Sequence, residues 1–382
     1  MSIAQFTYSR IPPEAESLRR EVREFLKDNL AEYQATSRAQ SWMGFDADFS
    51  RKLGSRGWVG MALPKQYGGS EAGPFSRYVV IEELLAVGAP VSAHWIADRQ
   101  SGPLINRFGS AAQKDRYLPP ICRGESYFCI GMSEPNSGSD LASIKTTARR
   151  NEAGWLLNGQ KVWTTNAQHS HFMIALVRTG EKQAARHEGM SQFIVDLSLP
   201  GISIRPIRDL AGGEHFNEVF FDNVQLDADA LIGTEGKGWE QVTAELAFER
   251  SGPERFLSCM ALLKTLVDAL GSTPDALQRR EIGRLTAKLV TLRNMSLAVT
   301  AQLAAGEHPT WAASCVKDLG NLFEQEIPEV AQLLVEAEPR LSGGSEHARV
   351  LAYLMQMAPS FSLRGGTREI LRGIIARGLG LR

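Results

Sequence analysis

Apolar positions along the chain change their spacing twice. From Glu14 to about Glu125 they recur at steps of three and four. SLRREVREFLKDNL puts Leu18, Val22, Phe25, Leu26 and Leu30 on one helix face, and SRYVVIEELLAV repeats the habit. The loop LPKQYGG (63–69) and a stop at LPP (118–120) are expected to separate helices there. Between about Ser126 and Leu231 short β-branched and aromatic runs take over, parted by turn dipeptides. GWLLNGQKVWTT carries Asn158-Gly159, a strong hairpin signal, and FMIALV (172–177), SQFIVDL (191–197), ISIRPI (202–207) and NEVFFDNVQL (217–226) read as strands. Strands without intervening helices imply an antiparallel barrel or sandwich. After Gly238 helical spacing returns, through ALLKTLVDAL, EIGRLTAKLVTLRNMSLAVTAQL and LFEQEIPEVAQLLVEA. The expected fold is α+β: an N-terminal helical domain (1–125), a middle antiparallel β-barrel or sandwich domain (126–235) and a C-terminal helical bundle (236–382).

Composition narrows the function classes. At 382 residues, with 43% apolar and 22% charged positions, the chain is an ordinary globular protein of two or three domains. Its 42 Lys+Arg against 43 Asp+Glu leave no basic excess, so neither nucleic acid nor an anionic membrane is an expected partner. Cys122, Cys129, Cys259 and Cys315 form no C-x-x-C pair and no zinc spacing, which fits a reducing, cytoplasmic setting. No stretch approaches the roughly 18 uninterrupted apolar residues of a membrane span. His169 and His171 lack a third ligand, so no metal site is expected.

Four segments carry candidate chemistry. Gly131 to Asp140, GMSEPNSGSD, is dense in hydroxyls and turn formers. It reads either as a loop offering N–H groups and hydroxyls to a phosphate or a flavin pyrimidine edge, or as an ordinary Asn/Ser/Gly turn. In KVWTTNA (161–167), strand alternation places Trp163 and Thr165 on one face. They could cover and hydrogen-bond a planar ring, or simply end a strand; in both cases Trp163 is expected to be largely buried. Trp239, Val242, Leu246, Glu249, Pro253, Phe256, Met260 and Leu263 follow at steps of three and four, as on one helix face. Glu249 interrupts that apolar stripe, either as a desolvated general base or as a carboxylate paired at a rim. Pro253 has no N–H for the Glu249 carbonyl, so the helix should kink or open there. Last, RGGTREILR (364–372) reads as a glycine loop feeding a helix with Thr367 as N-cap, which is either a plain cap or a pyrophosphate site.

Together these segments resemble the flavin-dependent acyl-CoA dehydrogenase family along essentially the whole chain. PKQYGG, INRFGSAAQKDRYLPPICRGE, MSEPNSGSD, NGQKVWTTNA, NEVFFDNV, GTEGKGW and GGTREILRGIIAR stand in the family's order. The resemblance implies FAD as cofactor. Met132 and Ser133 would meet the flavin pyrimidine end, Ser139 the pyrophosphate or the pantetheine of the substrate, and Trp163 the flavin ring. Thr165 would meet the N5 region, and Thr367 with Glu369 the pyrophosphate and ribose. It further implies α,β-desaturation of an acyl-CoA, with electrons passed to an electron-transfer flavoprotein. The family's base precedes the Gly-Thr of the C-terminal motif or sits in a Glu-Arg pair on the helix opening the last block. The first position is Gly365 here, so the resemblance implies Glu249 as base, Arg250 as a CoA contact and the Gly365 N–H as a hydrogen bond to the thioester carbonyl.

Two family segments, Arg-x-x-Phe-Gly and Gln-x-x-Gly-Gly-x-Gly, have no counterpart. GSTPDALQRR (271–280) and EAEPRLSGGSEH (336–347) stand near their places. Since those segments reach FAD across a subunit contact, the expected assembly is a homo-oligomer or a heterotetramer with a related subunit. A same-fold oxidase or monooxygenase and a non-catalytic subunit of a heteromer are the alternatives.

Overall fold

The computed structural model describes residues 6–180 and 188–381, and only the backbone of 244–249. The chain forms two compact units. One takes residues 1–45, 73–91 and 247–382, the other residues 46–72 and 92–246.

The first unit is helical. Its long elements are Leu18–Asn29, Pro74–Ala86, Met260–Leu270, Ala276–Ala304, Thr310–Leu334, Glu346–Met357 and Arg368–Gly378. Val22, Leu26 and Leu30 of the predicted stripe are buried, so periodicity located this face correctly. The 29-residue helix begins in a capping box, where Asp275 accepts from the Gln278 N–H and the Gln278 side chain returns the bond. Glu82 is buried on the Pro74–Ala86 helix and takes Arg293 as a fork, at 2.6 and 3.0 Å.

The second unit holds the sheet. Its strands are β1 (Phe128–Gly131), β2 (Thr147–Asn151), β3 (Gly154–Thr165), β4 (Phe172–Arg178), β5 (Met190–Asp196), β6 (Ile202–Ile207) and β7 (Phe216–Leu226). They lie in the order β1-β4-β2-β3-β7-β6, with β5 beside β4. Most pairs are antiparallel, but β1 and β4 run parallel, as does the single β2–β4 bridge at Thr147 and Arg178. Trp155, Phe193, Val195, Val219 and Leu226 form the core of the sheet.

Two turn expectations fail for local reasons. Asn158-Gly159 is no hairpin; it lies inside β3 at a register shift, and the β2–β3 turn falls between Asn151 and Gly154. Gly159 has φ +140, and a Cβ there would stand 2.5 Å from Thr146 Oγ1 and 2.7 Å from its Cα. The glycine serves a close backbone crossing rather than a turn. Nor does LPP end a helix: Ala111–Cys122 runs through Pro119 and Pro120. Ser110 and Gln113 close a capping box at its start, and the Pro119 carbonyl still accepts from the Arg123 N–H.

Candidate active site

At the end of β3 the pairing with β7 shifts register between Lys161 and Thr164. Lys161, Val162 and Thr164 are buried there, while Trp163, at φ +60, is 60% exposed. The expectation that Trp163 would be buried is therefore wrong. The bulge lets its neighbours pack and leaves the indole on the open face, touched edge-on by Phe216 at 6.3 Å. Thr165 follows, half-buried and paired with Phe216. Asn166, also at positive φ, donates to Ser92 Oγ at 2.5 Å and through its N–H to the His215 carbonyl at 2.8 Å, which fixes the strand end.

The loop after β1 is held to β3. The Val162 N–H donates to the Ser133 carbonyl at 2.9 Å, and Glu134 and Ser137 exchange backbone bonds at 3.0 and 2.9 Å. Lys161 Nζ donates to the Met132 carbonyl at 3.0 Å and to Glu134 Oε1 at 2.9 Å. Met132 and Ser133 are half-buried and Ser139 is exposed. Met132 packs against the cluster of Ile144, Leu176, Met190 and Val242, as does Trp239. Burial pushes the Lys161 ammonium down to about 8, against the pull of Glu134. Burial alone would raise Glu134, but Lys161 and the Lys145 and Thr146 N–H groups outweigh it and hold the carboxyl below its ordinary range. The structure thus assembles Met132, Ser133, Trp163 and Thr165 within one unit.

The remaining candidates lie in the helical unit. Glu249 is the last residue of the Gly238–Glu249 helix, and its side chain lies outside the described residues. The helix opens before Pro253, as the missing N–H requires; a 3-10 turn spans Pro253–Arg255 and the next helix starts at Met260. The apolar stripe from Trp239 to Leu263 is therefore not one helix face. Arg250 is buried, and its guanidinium lies 3.6 Å from where a Cβ on Gly366 would stand. Gly365 and Gly366 both have positive φ, and a Cβ at Gly365 would meet the Arg255 guanidinium at 3.1–3.2 Å. Thr367 is the N-cap of Arg368–Gly378, as its sequence suggested, but its side chain makes no capping bond. The exposed Glu369 carboxyl is held low by its own N–H and then by the Thr367 hydroxyl.

Family models match the whole arrangement in order: the acyl-CoA dehydrogenase N-terminal domain over residues 12–125, its middle domain over 129–224 and its C-terminal domain over 236–380. The chain is 33% identical over 396 aligned residues to acyl-CoA dehydrogenase IpdE1 of Mycobacterium tuberculosis, covering 96% of this chain and 98% of that one. The chain belongs to the acyl-CoA dehydrogenase family. It is accordingly an oxidoreductase. Among solved structures, the Tcur3481-Tcur3483 steroid ACAD superposes with a TM-score of 0.86 at 25% identity, over 99% of this chain and 100% of that one. The ChsE4-ChsE5 complex from Mycobacterium tuberculosis gives 0.84 at 26% identity, over 100% of both. No helix among the described residues is long and apolar enough to cross a membrane.

Two groups, one in each unit, escape a reading of spacing. Lys161 and Glu134 are 27 residues apart, and nothing local marks either as buried. Arg364 stacks between the Trp42 and Phe361 rings at 4.5 Å each and donates to Ser258 Oγ and Glu324 Oε2 at 2.7 and 2.9 Å. Trp42, Ser258 and Glu324 come from three distant segments, and Phe361 alone is near in sequence. A lysine within a β-branched strand run was the only available signal for the first group; the second had none.

Proposed function

We propose that the chain is an FAD-dependent dehydrogenase that forms the trans-2,3 double bond of an acyl-CoA thioester. The observation that carries this reading is Trp163: a large indole on a core strand, held at φ +60 and 60% exposed, beside a loop pinned at Met132, Ser133 and Glu134. Such strain persists where a surface must be presented to a ligand. Trp163 and Thr165 suit a flavin ring, Met132 and Ser133 its pyrimidine end, and Ser139 the pyrophosphate or pantetheine. The Thr367 side chain makes no capping bond, and the helix start it opens suits a pyrophosphate, with Glu369 at the ribose. A flavin held by these residues would supply the acceptor for the β-hydride and a two-electron route to an electron-transfer flavoprotein.

The protein's own part is to bind, orient and remove one proton. Glu249 takes the α-proton and Arg250 binds the CoA moiety. The Gly365 N–H donates to the thioester carbonyl, where charge grows as the α-proton leaves. Gly365 cannot be the base, and the guanidinium of Arg255 beside it would neutralise a carboxylate placed there. In Glu249→Gln the reduction of bound flavin by substrate should fall by about 10²–10⁴-fold at unchanged FAD content. Wild-type reduction in that variant would refute the assignment.

A heteromeric assembly is favoured by one specific feature. By the family resemblance, GSTPDALQRR and EAEPRLSGGSEH stand near the places of two segments that would bring FAD contacts across subunits, and the superposing Tcur3481-Tcur3483 and ChsE4-ChsE5 structures are named as two-component proteins. Stoichiometric FAD in the chain purified alone would exclude the heteromer.

A further inference from the structure

Lys161 is fully enclosed, and its ammonium donates to two acceptors, the Met132 carbonyl and Glu134 Oε1. Glu134 is fixed in turn by the Lys145 N–H, which donates to Oε2 at 2.6 Å, and by the Thr146 N–H, which donates to Oε1 at 2.9 Å. Burying such a pair costs several kcal/mol of desolvation per ion, and apolar residues of similar volume would fill the same space as well or better. Strand packing alone does not explain the charge.

Its placement suggests what does. The Met132 carbonyl and the Ser133 N–H belong to one peptide unit, so an ammonium on that oxygen withdraws electron density and makes the N–H a stronger donor. The bonds that pin the loop use the Met132 and Ser133 carbonyls and Glu134, and none of them uses the Ser133 N–H. The pair is also oriented: its positive end lies against the Met132 carbonyl, while its negative end is tied to Lys145 and Thr146.

We propose that Lys161 is a positioning residue that polarises the Met132–Ser133 peptide, so that the Ser133 N–H favours the more electron-rich, reduced state of the flavin. This rests on the reading above that Ser133 meets the flavin pyrimidine end. Glu134 holds the ammonium in place and keeps the buried site neutral.

The test compares FAD-loaded wild type, with a related partner chain if loading needs one, against Lys161→Met and the double variant Lys161→Met with Glu134→Gln. Two quantities are read: the reduction potential of the bound flavin, by anaerobic titration against a reference dye, and the thermal midpoint. In Lys161→Met the preference for reduced over oxidised flavin should fall about tenfold, a potential about 30 mV more negative for a two-electron couple. Its thermal midpoint should fall too, because Glu134 is left buried without its counter-charge. The double variant should recover stability while its potential stays below wild type. A flavin-loaded variant with the wild-type potential and an altered midpoint shows Lys161 to be a strut and overturns the proposal. If Lys161→Met does not accumulate, the double variant decides by the same criterion. Wild type that binds no FAD under any of these conditions overturns the flavin reading itself, and this proposal with it.

Discussion

Replacing Arg364 by methionine should be among the most damaging single changes in the helical unit. The guanidinium stacks between two rings and is the charged partner of Glu324, a carboxylate with no exposed surface. Without it Glu324 keeps the Ser258 N–H at 2.9 Å but loses its counter-charge, and breaking a buried pair from one side costs about 3–5 kcal/mol. Two desolvated cation–π contacts, worth up to about 2 kcal/mol each, are lost as well, offset in part by thioether–aromatic contacts of about 0.3–1.5 kcal/mol. The net expectation is a loss of at least about 3–5 kcal/mol. At roughly 2–4 °C per kcal/mol for a domain of about 150–250 residues, the thermal midpoint should drop by about 10 °C. Adding Glu324→Gln removes the stranded charge but keeps an acceptor for Ser258, so the double variant should regain about 2 kcal/mol or more. Recovery is plausible because the wild-type arrangement is itself imperfect: Arg364 Nε is buried without a partner. A single-variant loss under about 1 kcal/mol, within the range of exposed pairs, or strictly additive losses in the double, would refute the reasoning. Because Arg364 immediately precedes Gly365, Gly366 and Thr367, the same cycle tests whether this clamp anchors that loop.

Two further changes probe the sheet unit. Gly159→Ala combines an unfavourable φ of +140 with a Cβ 2.5–2.8 Å from Thr146 atoms, and should lower the urea midpoint by the equivalent of about 2–4 kcal/mol; a change under 0.5 kcal/mol, typical of neutral surface sites, would show the crossing to be loose. Glu134 is held below its ordinary value of 4.5, so the unfolded chain binds more protons than the folded one below that pH. Its contribution is complete above about pH 4.5 and fades as the pH falls through the folded value. Glu134→Gln should be less stable at pH 7 yet lose stability less steeply on acidification, and parallel acid limbs in urea titrations would contradict this.

How much could be read beforehand depends on the range of the interaction behind each feature. Strand and helix faces were legible because one side of each element is buried: β4, β6 and β7 fall within a residue of their expected limits, and Val22, Leu26 and Leu30 line one core. The place of Thr367 at the helix start was legible because such boundaries are settled within a few residues, although its side chain makes no capping bond. The failures share one cause. Asn158-Gly159 has the composition of a turn, but Thr146 crosses it and makes the glycine a point of contact within β3. Pro119 and Pro120 have the composition of a stop, yet a capped helix packed by Leu118 and Ile121 runs through them. Trp163 has the composition of core, and a bulge set by its pairing with β7 puts it on the open face. In each case a contact distant in sequence overrode a local preference worth only about 1–3 kcal/mol. No local rule buries Lys161 in its strand, and only the fold, by bringing Glu134 and the Met132 carbonyl to its ammonium, makes that position tenable and places its charge behind the peptide that the flavin reading puts to use.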